Sequence, residues 1–223
     1  GVNAGNSIAS GGNYNTVVGD EAGTAINTGD DNIAIGYQAG LAITTGSSNV
    51  AIGKEALKNE DGHGKNTAVG TQTLFSQNAG ADAFNTAVGF QTGAAIVTGA
   101  NNTLVGGLAG DAITTASNNT AVGQGSLGAN TTGAGNTALG QGSLAANTTA
   151  SNNTAVGLDA LVTNTTGANN VAIGRLALKE NTTASNNTAV GFNSLVANTT
   201  GASNTAIGTQ ALDANTTASD NVA

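Results

Sequence analysis

A five-residue phrase, Asn-Thr-Ala-Val-Gly or a close variant, ends at Gly19, Gly36, Gly53, Gly70, Gly89, Gly106, Gly123, Gly140, Gly157, Gly174, Gly191 and Gly208. The twelve copies stand 17 residues apart, save for one interval of 19 between Gly70 and Gly89. A fixed period of this length marks a chain that stacks one small unit on the next, because no single unit can bury an apolar face alone. The two additional residues lie around residues 78–84 and read as a bulged loop, since the phrase resumes intact after them.

Asparagine opens every copy, including Asn49, Asn66, Asn119 and Asn170. A β-branched residue or leucine precedes each glycine: Ile52 before Gly53, Val69 before Gly70, Val122 before Gly123, Ile173 before Gly174. Two positions earlier stands threonine, valine or isoleucine, as at Val50 and Thr67, usually with alanine between. Period-2 alternation closed by glycine predicts a short strand followed by a turn. No 3.6-residue stripe survives the glycines and the Asn-Thr-Thr segments, so helix is the poorer reading. The asparagine is placed at the turn entering each strand, where its side chain satisfies local backbone groups.

The other half of the repeat contains a compensated swap. Leucine falls four residues after the glycine in eight copies, among them Leu57, Leu127 and Leu178. In the other four that position is Gly23, Gly40, Gly93 or Gly110, and isoleucine follows three residues later, at Ile26, Ile43, Ile96 and Ile113. One large side chain is lost and one gained each time, so the two positions are expected to fill the same internal volume. The Asn-Thr-Thr segments, as at Asn130, Thr131 and Thr132, are expected to stack into amide and hydroxyl ladders.

Composition supports this reading. The 223 residues include 34 glycines, no proline, no cysteine, 3 % aromatics and 8 % charged residues. So few large apolar residues cannot build a conventional core, only a small one repeated many times. Disordered chains usually carry proline and charge, and collagen needs glycine at every third position. A formal net charge of -8 argues against wrapping a nucleic-acid backbone. No apolar run is long enough to span a bilayer.

The expected architecture is an all-β, parallel β-solenoid with one 17-residue coil per repeat, residues 1–223 forming a single repetitive domain. Coils stacked about 4.8 Å apart give a rod roughly 55–60 Å long, with a parallel sheet along each face. Each coil has room for two strands of about five residues and two turns, around a narrow interior of Val, Ile, Leu, Thr and Ala. The chain opens at Gly1 without methionine and ends partway through a repeat, and it reads as a segment of something longer.

The phrases NIAIG at residues 32–36, NVAIG at 49–53 and 170–174, and NTAVG elsewhere resemble the head repeats of trimeric autotransporter adhesins, and are similar also to repeats of bacteriophage tail fibres. The resemblance implies a left-handed β-roll, a homotrimer, a place on the cell surface or the virion, and adhesion to a host-surface or matrix protein or glycan receptor. It also makes Val50 and Ile52 core residues with Gly53 at the turn, and likewise Thr67, Val69 and Gly70. Heads of that family commonly have shorter repeats; the 17-residue period here adds the leucine and Asn-Thr-Thr portion.

No enzymatic constellation emerges, and no cofactor is expected. His63 is the only histidine and cysteine is absent, which argues against a zinc site or a histidine-dependent triad within one chain. His63 is expected on a surface loop. Asp30 with Asp31, and Glu60 with Asp61, are expected to be solvated loop charges rather than calcium ligands. Lys54 and Lys58 lie near Glu55, with Arg175 and Lys179 placed similarly, and surface pairing is the expected outcome. Threonine pairs recurring at 131–132, 148–149 and 165–166 raise ice binding as an alternative. Adjacent threonines on a straight strand, however, point to opposite faces.

Overall fold

The computed structural model describes residues 1–8 and 11–223. The chain is an all-β parallel solenoid in two compact units, Gly1–Ala116 and Ser117–Ala223. The first unit contains β1 (Thr16–Val18), β2 (Ile33–Ile35), β3 (Val50–Ile52), β4 (Thr67–Val69), β5 (Thr86–Val88) and β6 (Thr103–Val105). Within this unit each strand pairs in parallel with the next, one repeat further on, so Ile33 faces Val50 and Ala51 faces Ala68. The two-residue insertion leaves this register intact, with Thr67 opposite Thr86 and Val69 opposite Val88. In the second unit β7 (Thr120–Val122), β8 (Thr137–Leu139), β9 (Thr154–Val156), β10 (Val171–Ile173), β11 (Thr188–Val190) and β12 (Thr205–Ile207) follow the same rule.

Each coil has one strand of three residues, not two of five, and the second wall is built of turns. The reason is local. Two and four residues after the closing glycine the backbone turns left-handed, at Glu55 (φ 57°) and Leu57 (φ 48°), and again at Leu176 (φ 61°) and Leu178 (φ 51°). Left-handed residues at alternate positions forbid an extended strand, and each leucine held there costs about 1–2 kcal/mol. The turns still bond coil to coil: Leu57 N–H donates to the Thr73 carbonyl at 2.9 Å, and Leu161 N–H to Ala177 at 2.9 Å.

The core is inverted with respect to the strand reading. The middle residue points inward and is fully buried, as at Ala51, Ala68, Ala121 and Ala172. Its β-branched neighbours face out: Val50, Ile52, Val69 and Val122 are half-buried, and Ile173 is 40 % exposed. The interior is one large side chain wide, and the opposite wall supplies that side chain, through Leu57, Leu74, Leu127 or Leu178. Two inward β-branched residues facing each leucine would overpack it. On the outside those residues still satisfy the extended backbone, which is what β-branching favours.

The leucine and glycine-isoleucine coils fill one volume from two directions. A Cβ added to Gly40 would stand 2.9 Å from Ile43 Cδ1, and one added to Gly110 would stand 2.8 Å from Ile113 Cδ1. The isoleucine tip therefore occupies the space beside the glycine. Leu104 replaces the usual inward alanine in β6 and fits because Gly93 and Gly110 flank it; a Cβ on either would lie 2.9 or 3.1 Å from its methyls. The strand-closing glycines serve another need: Gly53 has φ 131°, and a Cβ there would sit 2.5 Å from the Gly70 carbonyl oxygen.

The asparagine opening each strand binds across coils rather than locally. Asn32 Oδ1 accepts the backbone N–H of Asn49 at 3.0 Å, while Asn32 Nδ2 donates to the Gly46 carbonyl at 2.8 Å. Asn170 does the same, accepting from Asn187 N–H at 3.0 Å and donating to Ala184 at 2.8 Å. One buried amide thus clamps the next coil at two points. A second amide ladder runs through Asn130, Asn147, Asn164, Asn181, Asn198 and Asn215, each Nδ2 donating to the preceding Oδ1 at 2.9–3.2 Å. Buried side-chain amides paired in this way offset their lost hydration with hydrogen bonds and specify the coil register.

Candidate interaction surface

The outward strand residues form the most regular exposed feature of each unit. In residues 1–116, Val18 (55 %), Val88 and Val105 are exposed in line with the half-buried Ile35, Ile52 and Val69. In residues 117–223, Leu139, Ile173 and Ile207 (64 %) alternate with half-buried Val122, Val156 and Val190. The first residue of each strand, usually threonine, lies alongside on the same face. Each unit thus presents an uncharged strip two side chains wide, repeating at the strand spacing, which is the kind of surface that marks a partner.

The sites named from the repeat distribute themselves around this strip. Asn49, Asn66, Asn119 and Asn170 are buried at the strand entrance, and Gly53, Gly70, Gly123 and Gly174 turn the chain at its exit. Leu57, Leu127 and Leu178 lie across the interior. Lys58, Lys65, Lys179 and Arg175 are paired or stacked, whereas Lys54 is exposed. Lys58 Nζ lies 3.0 Å from Glu55 Oε1 and Lys179 Nζ lies 2.7 Å from Glu180 Oε1. Arg175 stands over the Phe192 ring, 5.6 Å from its centre. Glu55 is held below the usual carboxylate range by Gln72 and Lys58, and Lys179 is raised by Glu180.

The Asn-Thr-Thr threonines divide their roles. The hydroxyl of Thr148 donates to the Thr165 carbonyl at 3.1 Å, and that of Thr165 to Thr182 at 3.0 Å. The second threonine of each pair, as at Thr149 and Thr166, is exposed. The stacked hydroxyl ladder is therefore a side chain to backbone ladder, and only one threonine per coil faces outward from that segment.

Two features were not foreseen. A groove of about 370 Å³ in the first unit is lined by Gln72, Phe75, Gln91, Ala95 and Asp111, with Gln91 Nε2 bonded to Gln72 Oε1 at 2.8 Å. Glu60 is fully buried, correcting its expected place among the solvated loop charges. It stands seven residues after Gly53, the register at which other leucine coils carry the buried Gln77 or Asn130. Alignment of the repeats reveals that burial; charge alone conceals it. Burial pushes the Glu60 carboxyl up, against the pull of the His63 backbone N–H that it accepts at 3.2 Å. His63 is half-buried beside it.

Neither protein-family models, nor curated proteins, nor solved structures give a match to the chain. Fold and surface therefore carry the functional argument. The chain is a repetitive structural β-solenoid scaffold, and the described residues contain no catalytic constellation. Among the described residues no helix is long and apolar enough to cross a membrane.

Proposed function

We propose that this chain is a structural and adhesive segment of a homotrimeric extracellular fibre, of the kind formed by head repeats of trimeric autotransporter adhesins. In this reading residues 1–223 are one repetitive domain of a longer fibre, displayed on a cell surface. The observation that carries the reading is the uncharged strip of Val18, Ile35, Ile52, Val69 and their counterparts. β-Branched residues kept outside a solenoid in every coil need a covering, and a second and third copy supply a surface of the same period. Each coil then adds an identical small contact, so that association strengthens with coil number as multivalent binding does. The remaining polar faces stay free to meet a host-surface or matrix protein or a glycan through many weak contacts. A bacteriophage tail-fibre shaft uses the same geometry and differs in what flanks it.

Absolute mass by light scattering over a concentration series tests the reading. A threefold mass that persists on dilution is expected. A persistent monomer, in a chain that retains the far-ultraviolet signature of β structure, would overturn the trimer and favour the exposed threonine row as an ice-binding edge.

A further inference from the structure

The third coil departs from the repeat at three neighbouring positions together. Glu60 stands where other leucine coils carry asparagine or glutamine. Asp61 stands where Thr44, Thr131 and Thr148 lie, and His63 where Gly46, Gly133 and Ala150 lie. These substitutions introduce three metal-ligating side chains into one turn. A carboxylate oxygen from each acid and an imidazole nitrogen all lie within 4.8 Å of one another.

We propose that Glu60, Asp61 and His63 form a binding site for a divalent first-row transition-metal ion of the zinc class. The second observation, independent of the clustering, is unmet bonding capacity. Glu60 has no exposed surface, and its Oε2 has no hydrogen-bond partner. His63 Nδ1 is likewise buried and unpartnered, 4.0 Å from Glu60 Oε1. A buried carboxylate oxygen and a buried imidazole nitrogen without hydrogen-bond partners are costly, and the Ala79 backbone N–H near the carboxyl relieves Glu60 only in part. A cation between them satisfies both.

The donor set selects the ion. An imidazole nitrogen with two carboxylates suits zinc and its first-row neighbours, whereas calcium and magnesium take oxygen donors almost exclusively. Zinc bonds to such donors are about 2.0–2.2 Å long. An ion therefore draws the three atoms closer together than they now stand. Asp61 is exposed and supplies that movement. The backbone around the site is already fixed: the Asp61 carbonyl accepts from both the N–H and the hydroxyl of Thr44, at 2.6 and 3.0 Å. The Gly62 N–H donates to Asp61 Oδ1, and the His63 N–H to Glu60 Oε1. Such contacts hold ligands in place before the ion arrives. Asp61 and the half-buried His63 leave an open side for entry, with solvent completing the coordination.

The test titrates zinc chloride into the untagged, chelator-stripped full chain by calorimetry, alongside Glu60→Gln and His63→Gly. Both variants restore residues that neighbouring coils carry in the same register, so both are expected to fold, checked by far-ultraviolet circular dichroism. One zinc ion per chain is expected, with affinity reduced about tenfold or more in each variant. Cobalt(II) in place of zinc is expected to give a visible absorption band that His63→Gly removes. Absence of zinc uptake would overturn the proposal, as would equal affinity in wild type and His63→Gly, or calcium bound as tightly as zinc.

Discussion

Residues 117–223 and 1–116 solve the same packing problem with different regularity, and the difference shows what holds a 17-residue coil together. In residues 117–223 every coil uses leucine across the interior and an asparagine three residues later, and the amides join in a continuous ladder. In residues 1–116 that register holds Ile26, Ile43, Glu60, Gln77, Ile96 and Ile113, so no uniform ladder forms. Unpartnered buried polar atoms follow the irregularity. Glu60 Oε2, His63 Nδ1 and Asn66 Nδ2 lie in the first region and Asn193 Oδ1 in the second. Asn66 has a direct cause. Its counterparts donate to a carbonyl 14 residues on, and the insertion around residues 78–84 displaces that carbonyl. Its Oδ1 keeps the bond to Asn85 N–H at 3.1 Å, which is why the strand register survives.

The sharpest way to break the comparison is to charge the shared interior. Ala172→Asp in the regular region places an unpaired carboxylate where Ala172 is fully buried. It should cost more than about 4 kcal/mol and abolish the cooperative urea transition of that region. Next in size is an exchange of coil class. Leu161→Gly alone opens a cavity and should cost about 2–5 kcal/mol. Leu161→Gly with Asn164→Ile installs the packing of Gly40 and Ile43, and should recover part of the loss despite breaking two ladder rungs, to Asn147 and from Asn181. Urea midpoints of the singles and the double give the coupling; strict additivity would contradict the shared-volume account.

Smaller effects probe the polar contacts. Asn164→Ala removes the side chain that donates to Asn147 Oδ1 at 3.1 Å and to the Gly167 carbonyl at 2.9 Å. It should lower stability by about 1–3 kcal/mol, since it leaves the buried Asn147 Oδ1 unpaired, while the Gly167 carbonyl keeps the Asn153 amide. In the irregular region the sign reverses. Glu60→Gln, measured in chelator at neutral pH, should raise stability by about 1 kcal/mol by removing a buried charge. Because burial raises the Glu60 carboxyl in the folded chain, folding favours its protonated form. Wild type therefore gains stability as pH falls through the raised value, and the advantage of Glu60→Gln should shrink over that interval.

Much of this was legible in the residues. The period fixes one coil per repeat, and the Leu57-type and Gly40–Ile43-type copies disclose their common volume without coordinates. The facing of the strand was not legible. Val50, Ile52 and Val122 look like core because β-branched residues favour strands and cores alike, whereas only the width of the interior decides that Ala51 and Ala121 belong inside. The swap held the missing hint: the large residue is traded between two turn positions, and where a strand residue joins the packing it is the middle one, as at Leu104. Glu60 escaped notice for a similar reason, since its charge suggested solvent while its register, shared with Gln77 and Asn130, placed it in the core.

The most direct test of the outward strip as the association surface is the absolute mass of Ile173→Asp, measured by light scattering beside wild type. Ile173 is 40 % exposed on β10 and Ala172 beside it is fully buried. The fibre account predicts that Ile173→Asp keeps its β signature but falls from a threefold to a single-chain mass. A variant that retained the threefold mass, or that unfolded as Ala172→Asp is expected to do, would contradict it.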